Sequence, residues 1–204
     1  IARMLWPRLG RFDADFSLRD KGEIQERLHR AFGPSRFADL AIELRVRTTD
    51  AQSGQPCTLK DGGVVDALLA SIAMPFLFSP QIVAGRRYVD GFSSDPLPVS
   101  AAQDAIATLA VGFGAPMPER VDTPARLLAR TTSSMINNLM HARVESAVAS
   151  GQNLLPLFPE FDHRVGLFDT HAMADVIRMG ERAAQRMLPQ IACLYTRNEA
   201  VAKA

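Results

Sequence analysis

The chain has 204 residues, 47% of them hydrophobic and 22% charged, which is enough apolar material for a packed core and excludes wholesale disorder. With 23 basic against 22 acidic residues the formal net charge is +1, a balance that gives no reason to expect nucleic acid as a partner. Two cysteines, Cys57 and Cys193, allow at most one disulfide, and no apolar run approaches the roughly 20 residues of a membrane span.

Up to about Asp20 the chain reads as loop, with Pro7 and Gly10. Helical spacing follows at Ile24, Leu28 and Ala31-Phe32 and stops at Gly33-Pro34. Leu40 to Asp50 reads as a strand alternating at Ile42, Leu44 and Val46, Ala51 to Pro56 is a turn, and Cys57 to Leu59 returns as a short partner. Asp61-Gly62-Gly63 leads into a helix from Val64 to Ala73, stopped by Pro75. The apolar stretch Met74 to Phe78 reads by itself as an ordinary buried segment beside the sheet. Gln81 to Val89 reads as a hairpin turning at Ala84-Gly85.

The continuous apolar run Ala105 to Val111 has the pattern of a strand buried on both faces of a parallel sheet. A long helix spans Pro124 to about Ser150, with apolar positions at Leu127, Leu128, Met135, Leu139 and Ala142; Met135, Met140 and Arg143 fit a lid or core packing equally well. Leu154 to Phe168 reads as loop and short strand. A last helix, from about Thr170 to Leu188, places Met173, Val176, Ile177, Gly180, Ala184 and Met187 on one face. Strands alternating with helices argue an α/β class with a mostly parallel sheet, and no linker or repeat divides residues 1–204.

The histidines, His29, His141, His163 and His171, form no His-x-x-x-His pair, and neither cysteine belongs to a Cys-x-x-Cys, so no metal and no cofactor is expected. Asp13-Ala14-Asp15 is a carboxylate pair in a loop without a third ligand. Gly112-Phe113-Gly114 follows a strand but opens no glycine-rich helix start, so a dinucleotide fingerprint fails.

The concentrated pattern lies between Asp66 and Pro98, where Asp90-Gly91 directly follows a hairpin strand. A carboxylate at a strand end beside a glycine can hold one orientation and accept a proton. Asp-Gly is also a favoured turn dipeptide, and taken alone it favours Asp90 as a turn cap.

The run from Asp66 through Ala70-Ser71-Ile72-Ala73-Met74-Pro75 to Pro80, then Gly85-Arg86-Arg87-Tyr88-Val89-Asp90-Gly91, then Asp95-Pro96-Leu97-Pro98, resembles the second signature block of the patatin-like phospholipase family. That block has a helix ending in Ala-Ser-x-Ala-x-Pro, a hairpin, Tyr-Val-Asp-Gly-Gly and Asn-Pro-x-Pro. The resemblance implies a three-layer α/β/α fold and a serine–aspartate dyad without histidine. In such a dyad the serine attacks an ester carbonyl, the aspartate is the base, and a glycine-rich loop supplies the oxyanion hole. It makes Asp90 the dyad aspartate and a lipid or acyl ester the substrate, and it lets Met74 to Phe78 line an acyl channel or meet a membrane surface; a cytoplasmic or peripheral-membrane location is the expectation because no signal peptide is visible.

Asp61-Gly62-Gly63 matches the family's Asp-Gly-Gly by letter but precedes a helix, whereas Phe92 stands at the usual second glycine after Asp90. No Gly-x-Ser-x-Gly elbow occurs; Gly33-Pro34-Ser35-Arg36-Phe37 is the nearest shape and lacks the closing glycine. Ser71, Ser93 and Ser94 are not expected to be nucleophiles. Together with Ile1 in place of a starting Met, this leads to the expectation that residues 1–204 are the C-terminal portion of a single patatin-like domain whose nucleophile lies upstream. The alternatives are a non-catalytic remnant that binds lipid or protein, and an acyltransferase in which an alcohol replaces water.

Overall fold

The computed structural model describes residues 15–160 and 170–201, so His163 and the Gly166-to-Asp169 segment lie outside the described residues, as does Asp13. Its contacts group into two compact units, residues 1–95 and 96–204.

In the first unit, helix α1 (Gly22–Phe32) ends where Gly33 takes φ +54° and donates its N–H to His29 O at 2.8 Å, a conformation that glycine adopts without a Cβ clash. Strands β1 (Val46–Asp50) and β2 (Pro56–Leu59) form a hairpin in register Val46↔Leu59, closed by a turn in which Gly54 has φ +70°. The sequence pattern places the strand start at Leu40; only Val46 onward pairs, and Ile42 is 84% exposed. Helix α2 (Val64–Ser71) follows Asp61-Gly62-Gly63, as expected of a helix start, and buries Val64, Val65, Ala67, Leu69 and Ala70.

Strands β3 (Gln81–Val83) and β4 (Arg86–Asp90) complete a four-stranded sheet in the order β2-β1-β4-β3. Their two-residue turn holds Ala84 at φ +49° and Gly85 at φ +77°, the paired left-handed conformations whose twist matches a tight hairpin. A core of Phe37, Val46, Val64 and Ala67, flanked by Leu40, Leu44, Leu59 and Leu68, joins α2 to this sheet.

In the second unit, β5 (Thr108–Val111) and β6 (Leu154–Leu157) pair in parallel, Thr108 opposite Leu154. Helix α3 (Pro124–Ala149) is capped by Thr123, whose hydroxyl oxygen accepts from Arg126 N–H, and α4 (Met173–Val201) runs through Pro189. Leu97, Val99, Ala110, Met140 and Ala147 form the core.

The α/β class stands, but among the described residues the parallel pairing is confined to β5 and β6; the four-stranded sheet is antiparallel throughout, with short hairpins joining β1 to β2 and β3 to β4. Burial of β5 on both faces is not found: Ala110 is buried, but Leu109 and Val111 are 37% and 50% exposed. The core face of α3 also differs from the apolar spacing, with Ser133, Met140 and Ala147 inside and Leu127, Leu128 and Met135 exposed. Met140 is thus core rather than lid. On α4, Met179 and Ala183 are buried while Met173 and Ile177 are exposed, so the inward face is rotated from the one the spacing suggests. Among the described residues no helix is long and apolar enough to cross a membrane.

Candidate active site

Strand β4 delivers Asp90 to the end of the antiparallel sheet. Across the ladder it faces Thr48, and its N–H donates to Ala73 O at 3.0 Å, so its backbone is held by both β1 and the segment after α2. The chain then enters a 3-10 turn, Gly91–Ser93, and Asp90 Oδ1 accepts from Phe92 N–H at 2.8 Å. The turn cap is therefore present. Oδ2 makes no hydrogen bond among the described residues. Burial pushes the Asp90 carboxyl above its ordinary value of 3.8, against the opposing pull of the Phe92 N–H. A half-buried carboxyl held by one oxygen and open at the other can take up a proton.

Glycine after Asp90 has a steric cause. A Cβ on Gly91 would lie 2.3 Å from Arg47 O and 2.7 Å from Arg47 C, so the turn leaves β4 against the β1 backbone at a distance only glycine permits. Thr49 secures the same turn from below: its hydroxyl donates to Asp90 O at 2.8 Å and lies 2.7 Å from Ser94 Oγ. A hydroxyl has a single proton, so Ser94 is the donor in the second bond.

Arg47 completes the frame. Its guanidinium meets the fully buried Asp95 carboxylate at 2.7 Å and donates to Thr58 Oγ1 at 2.6 Å, while Asp95 N–H donates to Gly91 O at 2.9 Å. Ser71 donates from its hydroxyl to Arg47 O at 2.8 Å, tying the end of α2 to β1. Ser71 and Ser94 therefore serve structural hydrogen bonds, and Ser93 is exposed in the turn. The sequence pattern marks neither Arg47 nor Thr49 for this frame; it names Ser94 only as a serine not expected to attack, and Asp95 only within the Asp95-Pro96-Leu97-Pro98 motif.

Other sequence candidates separate from this site. Asp50, at the opposite end of the sheet, is consumed by its turn: Oδ1 accepts from the N–H and hydroxyl of Ser53 and from Gln52 N–H, and Oδ2 pairs with Arg86 at 3.0 Å. The Ser53 bonds foremost hold its carboxyl below the ordinary value. Asp15 pairs with Arg87, His29 is exposed on α1, and His141 packs its ring 5.9 Å from that of Phe158. Gly112 to Pro116 is fastened by side chains rather than shaped for phosphate, since Asn137 exchanges two hydrogen bonds with Ala115 and Ser133 donates to Pro116 O. Among the described residues no three His, Cys, Asp or Glu side chains gather as a metal site. A cavity of about 720 Å³ in the first unit has Val89, but not Asp90, in its wall.

The family model described as Patatin-like phospholipase matches residues 1–102, which is half of the 204-residue chain. The match takes in β1, the β3–β4 hairpin, the Asp90-Gly91 turn and Asp95. The chain belongs to the patatin-like phospholipase family, a family of lipid acyl hydrolases.

Proposed function

We propose that this chain supplies the base of a serine–aspartate lipid acyl hydrolase, with Asp90 as that base and the nucleophilic serine lying outside these residues. Residues 1–204 are then the C-terminal portion of one patatin-like domain acting on a lipid or acyl ester, in contact with a membrane surface. The observation that carries the reading is the setting of Asp90: half-buried at a strand end, one carboxylate oxygen committed to Phe92 N–H and the other open.

The chemistry balances as follows. Asp90 Oδ2 takes the proton of the serine hydroxyl as the serine oxygen bonds to the ester carbonyl carbon, and the carbonyl electron pair moves onto oxygen. Collapse of that oxyanion breaks the ester C–O bond, and the departing alcohol takes the proton from Asp90. Water then attacks the acyl-serine carbonyl carbon as Asp90 takes one of its protons; collapse breaks the bond to the serine oxygen, which takes that proton back from Asp90 as the carboxylic acid leaves. An acyltransferase differs only in the acceptor of this last step.

Asp90→Asn tests the base separately from the cap, because the amide oxygen still accepts from Phe92 N–H. Ester hydrolysis by the protein carrying its Gly-x-Ser-x-Gly segment should fall by about 10²-fold or more. An Asn variant that hydrolyses at the parent rate refutes the assignment. A fluorophosphonate probe should leave Ser71, Ser93 and Ser94 unlabelled.

A second reading, a non-catalytic lipid- or protein-binding remnant, draws on Phe92, which is 41% exposed at the position of the family's second glycine. A parent that is inert despite an intact elbow, and that gains hydrolysis on Phe92→Gly, favours it.

A further inference from the structure

The cavity of about 720 Å³ lies at the turn end of the antiparallel sheet, away from the end that carries Asp90. Val89 and Arg87 line it from the face of β4 opposite Asp90, whereas Arg86, on the same face of the strand as Asp90, lines it where β4 meets the turn. Asp50, Ala51 and Gln52 close it from the β1–β2 turn, and Gly85 and Arg86 from the β3–β4 turn. Its volume falls in the range of small-molecule sites.

The wall is divided by chemistry. One side is apolar and aromatic, formed by Phe16, Pro75, Phe76, Phe78 and Pro80 with Val89. Phe76 holds a left-handed φ of +68°, a conformation costly for a bulky side chain and found where surrounding contacts impose it. Here the imposing contacts are a strap: Leu18 N–H donates to Phe76 O and Arg19 N–H to Leu77 O, both at 3.0 Å. Phe76 is 63% exposed and lines the cavity.

The other side carries two guanidinium groups. Arg86 pairs with Asp50 and Arg87 with Asp15, and both arginine side chains are well exposed, so these pairs exchange readily for another anion. Asp50 keeps its Ser53 and Gln52 hydrogen bonds on Oδ1 when Arg86 turns away from Oδ2.

We propose that this cavity is a second, non-catalytic binding site for a single-tailed amphiphile with an anionic head. The tail lies on Phe16, Phe76 and Phe78, and a phosphate or carboxylate is taken by Arg86 and Arg87. The site goes beyond the hydrolase reading, since Asp90 takes no part in it.

Calorimetric titration with dodecyl phosphate and with dodecanoate, each below its micellar concentration, tests the site. One saturable event per chain is expected, with shifts in the Val89 methyl resonances, and the stronger of the two ligands identifies the head group. Arg86→Ser/Arg87→Ser should weaken binding at least about tenfold, whereas Asp90→Asn should bind as the parent does. Dodecyltrimethylammonium should bind at least about tenfold more weakly than the anions. No saturable binding, parent-like affinity in the double arginine variant, equal binding of the cationic amphiphile, or loss of binding in Asp90→Asn each overturns the proposal. Hydrolysis lost in Asp90→Asn with amphiphile binding intact separates the two sites.

Discussion

Gly91→Ala adds one methyl group where there is least room for it. The new Cβ would stand 2.3 Å from Arg47 O, 2.7 Å from Arg47 C and 3.1 Å from Thr48 N, all backbone atoms of a paired central strand. Carbon and oxygen in ordinary contact need about 3.3 Å, so the β1–β4 spacing must open by roughly 1 Å or the Gly91–Ser93 turn must lift away. Either motion strains the Thr49-to-Asp90 bond at 2.8 Å and the Asp95-to-Gly91 bond at 2.9 Å. Overpacking of this kind costs about 1–3 kcal/mol, and the immovable neighbours put the expectation near the upper end. For a chain of this length about 3 kcal/mol lowers Tm by about 6–12 °C, measurable by calorimetry or circular dichroism. Gly180→Ala is the control: it lies within α4 with nothing inside 4 Å of the added carbon, and it should raise stability by about 0.5–1 kcal/mol. If Gly91→Ala unfolds within about 0.5 kcal/mol of the parent, the close approach to Arg47 is not what fixes this glycine.

Three further outcomes follow from the same frame. Burial raises the Asp90 carboxyl in the folded state, so folding favours its protonated form; its contribution to stability is fully present below the ordinary value of 3.8 and is lost as pH rises from there through the raised value. Asp90→Asn should remove that decline in urea titrations run across the window, and the activity of the parent should rise with pH through the raised value. Asp50 has the opposite sign: its lowered carboxyl stabilises the fold above the ordinary value and loses that contribution as pH falls through the depressed one, so Asp50→Asn should flatten the acid limb of the stability curve. Arg47→Met leaves the buried Asp95 carboxylate without its cation and should cost about 3–5 kcal/mol, of which adding Asp95→Asn restores a part, as read from a double-mutant cycle.

What was legible in the sequence had a local cause. The Ala84-Gly85 turn, the Gly33 helix end and the helix after Gly63 are each dictated by conformations within a few residues, and each lies where the pattern puts it. Helix α3 was legible as a helix but not in its orientation. Its inward face is chosen by polar bonds, Ser133 to Pro116 and Asn137 to Ala115, which an apolar count cannot register. Leu109 and Val111 look like the middle of a two-sided core, yet β5 has one strand neighbour among the described residues. Asp90 stands out in the sequence because its neighbours form a motif. Arg47 and Thr49 carry no such mark, since a charged or hydroxylated residue alternating along a strand looks like a solvated face until its distant partners are known.

The frame around Asp90 also sets when that residue can be in place during folding. Thr49 reaches Asp90 from 41 positions away, Ser71 reaches Arg47 from 24, and the Arg47–Asp95 pair closes a loop that contains both. Phe92 N–H alone offers a local hold, and a single bond does not fix a turn against chain entropy. The carboxylate therefore acquires its position only after the long loops have closed, late in the assembly of the sheet and as one step with it. Slowed exchange of the Asp90 amide, whose partner is Ala73 O, is then a report on the folding of the whole four-stranded sheet rather than on the turn in which it sits.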